Sequence, residues 1–293
     1  MPQPLVECVP NFSEGRNPET VRQIGAAIGA VETACVLDRH IDPDHNRSVI
    51  TFVASPDRIV EAAVAGVKRA SELIDMRGHV GVHPRFGATD VLPFVPIRGV
   101  TIEECVALAH AAGSIIAREL SIPVYYYEYA ALRPDRVNLE DVRAAARLKS
   151  TPDEGPPVFH ETAGVVVVGA RPFLIAFNVL LRSNDLAIAR QIARSIRARS
   201  GGLPFLKALG FPLQTRGLVQ VSMNLVNYEV TGMGAAYEAI RREADLLGVE
   251  IESTEIVGLV PRNALDRQAE YFRKLENFSE NTILENRIAG CGY

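Results

Sequence analysis

Arg47-Ser48-Val49-Ile50-Thr51-Phe52-Val53-Ala54 sets Val49, Thr51 and Val53 against Ile50 and Phe52, the two-residue period of a strand. Another strand opens at Val36-Leu37, and only the polar stretch Asp38-Arg39-His40-Ile41-Asp42-Pro43-Asp44-His45-Asn46 separates the two. Two successive strands with no helix between them organise what lies on either side. Upstream, Leu5 to Pro10 reads as a strand. Asn17-Pro18-Glu19 then opens a helix with a capping residue, a proline in the first turn and an acid at the positive end of the helix dipole. Downstream, Ser55-Pro56-Asp57 opens a second helix by the same rule, with Ile59, Ala63, Val67, Ala70 and Ile74 on its apolar face, and Val91 to Ile97 reads as a strand. The order β-α-β-β-α-β is the split arrangement of ferredoxin-like domains.

A helix from Thr101 to Leu120, a strand from Val124 to Tyr129 and a short helix from Asn138 to Lys149 follow as an addition. Thr151-Pro152-Asp153-Glu154-Gly155-Pro156-Pro157 excludes regular structure, because proline fixes φ and removes a backbone donor. Val165 to Val168 and Phe173 to Leu181 are strands. Asn184-Asp185 caps a helix that Ser200-Gly201-Gly202 stops, a hairpin-like stretch runs from Phe205 to Leu213, and a strand runs from Leu218 to Val226. A helix from Gly232 to Leu247 and a strand from Ile251 to Val260 complete a second β-α-β-β-α-β order. The repeat is one of architecture, with no repeat of residues. The expected fold is α+β: two ferredoxin-like (βαββαβ) subdomains, residues 1–172 and 173–293, with a ligand cleft between them. From Arg262 on, Ala264, Leu265, Tyr271, Phe272 and Leu275 are expected to pack back onto the second unit.

The 293 residues are 47% hydrophobic and 23% charged, as in soluble globular proteins. A net charge of -4 without a polybasic run argues against nucleic acid as a partner. Met1 to Pro10 lacks the pattern of a signal peptide, and the longest apolar runs are too short to span a bilayer, so a cytoplasmic protein without membrane contact is expected. Cys8, Cys35, Cys105 and Cys291 are scattered without metal-ligand spacing and are read as reduced thiols.

His79-Val80-Gly81-Val82-His83-Pro84-Arg85-Phe86-Gly87-Ala88-Thr89-Asp90 gathers two histidines, an arginine and an aspartate where the chain changes element. Pro84 biases His83 toward an extended backbone, and the flanking glycines allow a ligand or a turn to approach closely. A histidine near neutrality beside the guanidinium of Arg85 suits proton transfer close to an anionic substrate. Residue type alone leaves a loop histidine bonded to carbonyls equally open. The cluster Asp38, His40, Asp42, Asp44 and His45 has none of the zinc spacings, and turn chemistry is favoured over a metal centre. Gly155-Pro156-Pro157-Val158-Phe159-His160-Glu161-Thr162-Ala163-Gly164 reads as a restricted linker at a domain junction, a place where ligand clefts are common. Tyr125-Tyr126-Tyr127 reads as packing rather than a stacking platform, and Arg190, Arg194, Arg197 and Arg199 as a solvated helix face. No Gly-x-Ser-x-Gly elbow or activated cysteine supports covalent catalysis.

Several long motifs carry a family resemblance. Leu5–Arg16, Asn46-Arg47 with Thr51-Phe52-Val53, Leu73-Ile74-Asp75-Met76, His83–Val91, Pro93–Val100, Gly169-Ala170-Arg171 with Phe173–Asn178, and Val257–Pro261 resemble the formiminotransferase domain of formiminotransferase-cyclodeaminase. The resemblance covers nearly the whole chain. It implies transfer of the formimino group of N-formimino-L-glutamate to N5 of tetrahydrofolate, in histidine degradation, by a homodimer with the folate in a tunnel between two ferredoxin-like subdomains. It places the catalytic acid–base histidine at His83 and the folate-binding segment at residues 155–164. Tetrahydrofolate is then a co-substrate, and no metal is expected. Arg16, Arg47 and Arg85 are candidates for substrate carboxylates, with Asp38, His40 and His45 as further substrate-binding candidates. His160-Glu161-Thr162-Ala163 and the His40–Arg47 turn differ from the animal members, and no cyclodeaminase domain is present in the sequence, so that second reaction is not expected of it. Formyl transfer from N-formylglutamate, other 5-formyltetrahydrofolate metabolism and non-catalytic folate binding are the alternatives.

Overall fold

The computed structural model describes residues 3–80, 86–147, 150–276 and 278–293. Two compact units make up the chain, Met1–Pro172 with Tyr293, and Phe173–Gly292. The first unit runs β1 (Leu5–Cys8), β2 (Asn11–Phe12), α1 (Pro18–Gly29), β3 (Cys35–Asp42), β4 (Arg47–Ala54), α2 (Ile59–Leu73), β5 (Thr89–Arg98), α3 (Ile102–Glu119), β6 (Val124–Glu128), α4 (Leu139–Arg147) and β7 (Val166–Ala170). β1 lies between β4 and β5, antiparallel to both, and β3 pairs with the far side of β4. β7 extends the sheet by pairing parallel with β5, and β6 pairs parallel with β7.

Local chemistry explains the helix starts. The Asn17 side chain accepts from the backbone N–H groups of Glu19 and Thr20 at the head of α1, and Thr101 and Glu104 form a reciprocal capping box on α3. Ser55-Pro56-Asp57 differs from its expected role. It is the turn before α2, with the Ser55 carbonyl accepting from Arg58 and Ile59, and the cap position itself carries no side-chain bond.

Alternation along the strands sorts residues onto two faces. Val6, Cys8, Leu92, Phe94, Tyr126, Val166 and Val168 join residues of α1, α2 and α3 in the main core. Val91, Tyr125, Tyr127, Val165 and Val167 face the other way and pack with Val142 and Ala146 of α4. All three tyrosines are buried, in keeping with a packing role.

The second unit runs β8 (Ile175–Leu181), α5 (Leu186–Ile196), β9 (Leu206–Leu213), β10 (Leu218–Leu225), α6 (Met233–Leu246) and β11 (Ile251–Val257), and its sheet has the order β11-β8-β10-β9. All of its pairings are antiparallel. Both units thus share the strand order fourth, first, third, second of a ferredoxin-like domain. The tail forms α7 (Glu270–Arg273) and α8 (Leu284–Gly290), and Tyr271 is buried with Phe177, Val221 and Ile240 in the second core. Arg190, Arg194 and Arg199 are exposed.

One further expectation changes. β3 continues to Asp42, so Asp38 and His40 are paired with Thr51 and Val49 in an edge strand, and the turn shrinks to residues 43–46. Half-burial at a sheet edge lets such polar residues remain in a strand. Cys8 and Cys105 are free buried thiols. Among the described residues, no helix is long and apolar enough to cross a membrane.

Candidate active site

The β3–β4 turn is built around Asp42. Its carboxylate accepts from the backbone N–H of His45 at 2.9 Å and meets the His45 ring Nδ1 at 2.6 Å. Burial works to raise the Asp42 carboxyl, but those bonds and the charge of Arg47 outweigh it and hold the pKa at about 2. His45 and Asn46 are buried, and Asn46 adopts a left-handed backbone with φ +49°. Its Oδ1 accepts from the Gly15 N–H at 3.0 Å, while Nδ2 lies 3.1 Å from the Val80 carbonyl and 3.3 Å from Nδ1 of His79. The polar loop after β2, the β3–β4 turn and the start of the histidine-containing stretch therefore meet at one amide. Arg16 is exposed, with its Nε 3.5 Å from the Pro43 carbonyl, and Arg47 is half-buried at the first residue of β4.

His83 and Arg85 lie outside the described residues. The chain that follows them is held from three sides. The Phe86 N–H donates to Asp90 at 3.1 Å, and Asp90 pairs with Arg143 of α4 at 2.5 Å. The Ser13 hydroxyl donates to the Gly87 carbonyl at 2.7 Å, and the Ser13 N–H to the Ala88 carbonyl at 2.9 Å. On the third side, Ala88 donates to Ala163 and Val165 to Phe86, both at 2.9 Å. Gly87 and Gly164 form an antiparallel bridge here. A Cβ on Gly87 would lie 1.7 Å from the Val165 carbonyl oxygen, and one on Gly164 would lie 2.0 Å from that of Phe86. Two backbones cross where no side chain fits.

Residues 155–164 belong to the first unit, which corrects their reading as a linker between units. The reason is backbone pairing: Met76 donates to Thr162 at 2.8 Å, Ala163 and Val165 hold residues 86–88, and the chain passes directly into β7 inside the first sheet. Upstream, Asp153 accepts from the fully buried Arg136 at 2.6 Å and from the Tyr126 N–H at 2.8 Å, and Arg136 also donates to the Thr151 carbonyl at 2.6 Å. The Glu154 carboxylate accepts from the Tyr126 hydroxyl at 2.7 Å. Between these anchors, Gly155, Pro157 and Val158 are exposed, with Val158 at 72%. Phe159 packs against the α4 side of the sheet beside Phe86. His160 and Gly164 exchange both backbone hydrogen bonds, and the His160 ring Nδ1 accepts from the N–H groups of Thr162 and Ala163. Glu161 is exposed and pairs with Arg77 at 2.9 Å.

Several polar groups around this site were not singled out as functional from sequence. Asp90 fixes the chain after His83, and Asn46 fixes the chain before it. Glu7, on β1, is 1% exposed, and neither carboxylate oxygen is hydrogen-bonded among the described residues. A charged residue among Leu5, Val6 and Cys8 was the available signal for Glu7. The partners of Asn46 are 31 to 34 positions away, which no local pattern reveals.

Residues 5–171 match the family model described as formiminotransferase domain, N-terminal subdomain, and residues 176–289 match that described as formiminotransferase domain. The chain belongs to the formiminotransferase family. Among its relatives, a protein of Thermoplasma acidophilum named glutamate formimidoyltransferase is 49% identical over 295 residues, covering 97% of each chain. A protein of the same name from Streptococcus pyogenes serotype M1 is 44% identical over 296 residues, covering 98% of this chain and 99% of its own. The rat formimidoyltransferase-cyclodeaminase is 44% identical over 283 residues, which cover 92% of this chain and 52% of the rat protein. Among the described residues of this formiminotransferase chain, no group of three or more His, Cys, Asp or Glu is placed to hold a metal.

Proposed function

We propose that the chain is a glutamate formimidoyltransferase, moving the formimino group of N-formimino-L-glutamate to N5 of tetrahydrofolate. The observation that carries the reading is the near full-length similarity to two proteins of that name. The pairing of residues 163–165 with residues 86–88 supports it, because it sets the expected folate segment beside the chain leaving His83.

In this reading N5 attacks the amidine carbon, the N5–C bond forms, and a tetrahedral intermediate results. The C–N bond to glutamate then breaks. N5 gives up its proton and the departing glutamate nitrogen gains one, so the net transfer is internal to the pair of substrates. His83 carries that proton, as base and then as acid. Orientation of the two bound substrates supplies much of the remaining acceleration. Residues 155–164 bind the folate. Arg16, Arg47 and Arg85 pair with substrate carboxylates, which a guanidinium meets with two parallel hydrogen bonds. Asp38, His40 and His45 line the substrate side. The family reading also makes the enzyme a cytoplasmic homodimer.

The test is steady-state transfer by the purified protein with N-formimino-L-glutamate and, in parallel, N-formyl-L-glutamate as donors. Turnover with the formimino donor is expected to exceed turnover with the formyl donor, and the reverse order would reassign the reaction. His83→Ala is expected to lose roughly 10²–10⁴-fold in kcat while still binding tetrahydrofolate. A variant that transfers at nearly the wild-type rate would remove His83 from the mechanism.

A further inference from the structure

β6 is the last strand of the first sheet, and residues 153–154 cover its open edge. The Asp153 N–H donates to the Val124 carbonyl at 2.9 Å, and the Val124 N–H donates to the Glu154 carbonyl at 3.0 Å. Two residues further along the same edge, the Asp153 carboxylate takes the place of a backbone carbonyl and accepts from the Tyr126 N–H at 2.8 Å. The Glu128 N–H donates to the Val137 carbonyl at 2.9 Å. An uncovered strand edge invites pairing with other chains, and this short cover closes it.

Asp153 is fixed in turn by Arg136, which follows β6 in the one-turn helix Pro134–Arg136. The guanidinium donates to the other Asp153 oxygen and to the Thr151 carbonyl, both at 2.6 Å, and lies 5.0 Å from the centroid of the Tyr125 ring. The two side chains are 1% and 5% exposed. A buried ion pair is a poor source of stability, because drying two charges offsets their attraction, and apolar side chains of similar volume often do as well. What this pair supplies is direction. With one oxygen on a strand N–H and the other on a planar fork, the carboxylate holds the chain in a single placement. Gly155 follows at once, with φ +87° and a Cβ position 3.2 Å from both the Ala117 Cβ and the Ile122 carbonyl oxygen, and the exposed Pro157 and Val158 come next.

We propose that Arg136 and Asp153 are a positioning pair for tetrahydrofolate: they set the direction in which residues 155–159 leave the edge of β6, and with it the affinity for the folate rather than the rate of formimino transfer. The proposal rests on the reading of residues 155–164 as the folate segment. Both side chains act through the backbone that follows them.

Two variants test it. Arg136→Met combined with Asp153→Leu replaces the pair by apolar side chains of similar volume. Asp153→Asn exchanges one accepting oxygen for an NH2 group that cannot accept, so one of the two bonds is lost. Tetrahydrofolate binding is measured by equilibrium titration, transfer by steady-state kinetics, and backbone protection by hydrogen exchange. The double variant is expected to melt close to the wild type and to exchange the Tyr126 amide faster. Its Kd for tetrahydrofolate is expected to rise roughly tenfold, as for a segment that holds its binding placement about a tenth of the time. Its kcat and its KM for N-formimino-L-glutamate are expected to stay at wild-type values, and the Kd of Asp153→Asn to fall between the two. A pair that served stability alone would lower the melting point and leave Kd unchanged. In the wild type, saturating tetrahydrofolate is expected to slow exchange at Gly155 and at residues 158–164. Exchange unchanged there would overturn the folate segment and the proposal with it. Protection there, together with a wild-type Kd in either folded variant, would overturn the positioning role alone.

Discussion

Glu7 shows how a single buried charge ties stability to pH. It sits on β1 between Val53 of β4 and Val95 of β5, 1% exposed, with neither carboxylate oxygen hydrogen-bonded among the described residues. Burial raises its pKa from the ordinary 4.5 to about 7, opposed in part by the charge of Arg171. The folded state therefore holds this proton more tightly than the unfolded chain does. Its contribution to stability is fully present below about pH 4.5 and is lost as pH rises through about 7, an effect on the order of 3 kcal/mol. Glu7→Gln is neutral throughout, so its denaturation midpoint is expected to exceed that of the wild type at pH 8 and to converge with it near pH 5. Equal slopes of midpoint against pH in the two proteins would show that Glu7 does not titrate on folding. The alternation of Leu5 to Cys8 places Glu7 opposite the face of Val6 and Cys8. It does not say that both faces are covered, so the burial was not legible.

At the level of elements, the order of strands and helices was readable because each carries a local signal: alternation in β4, a capping asparagine on α1, a capping box on α3. The insertion of β7 between β5 and β6 was not. Parallel pairing depends on where the chain returns after α4, and no local pattern encodes that. The crossing of Gly87 and Gly164 is the consequence closest to the site. Gly164 combines φ +70° with backbone in the space a methyl group would need, whereas Gly155, at φ +87°, meets its nearest neighbours at 3.2 Å. Gly164→Ala is expected to destabilise by well over about 1 kcal/mol in urea titrations, and by more than Gly155→Ala. A larger loss in Gly155→Ala would mean that backbone strain alone, without the crossing, sets the cost.

On the scale of the whole molecule, the main core of each unit forms without sharing a residue with the other among those described. Phe177 is fully buried in the second, at 5.7 Å from the Tyr271 ring centroid. Phe177→Ala is expected to cost about 3–5 kcal/mol, a large-to-small change in a packed interior. Hydrogen exchange should then quicken at the amides of β8, β10 and β11 while β1 and β4 keep their protection. Equal acceleration in all five strands would show that the chain opens as one cooperative body. The repeated architecture was legible as a pattern of elements, since the same order recurs from Phe173 with unrelated residues.

The short run from Gly155 to Phe159 is anchored before by the Arg136–Asp153 pair and after by the His160–Gly164 backbone exchange, yet its middle is open to solvent. Extra residues inserted there would leave both anchors in register, and the entropy of a longer loop grows only as the logarithm of its length. The fold thus holds this stretch of the expected folate segment by its two ends, so that a longer loop here would cost the supporting sheet little.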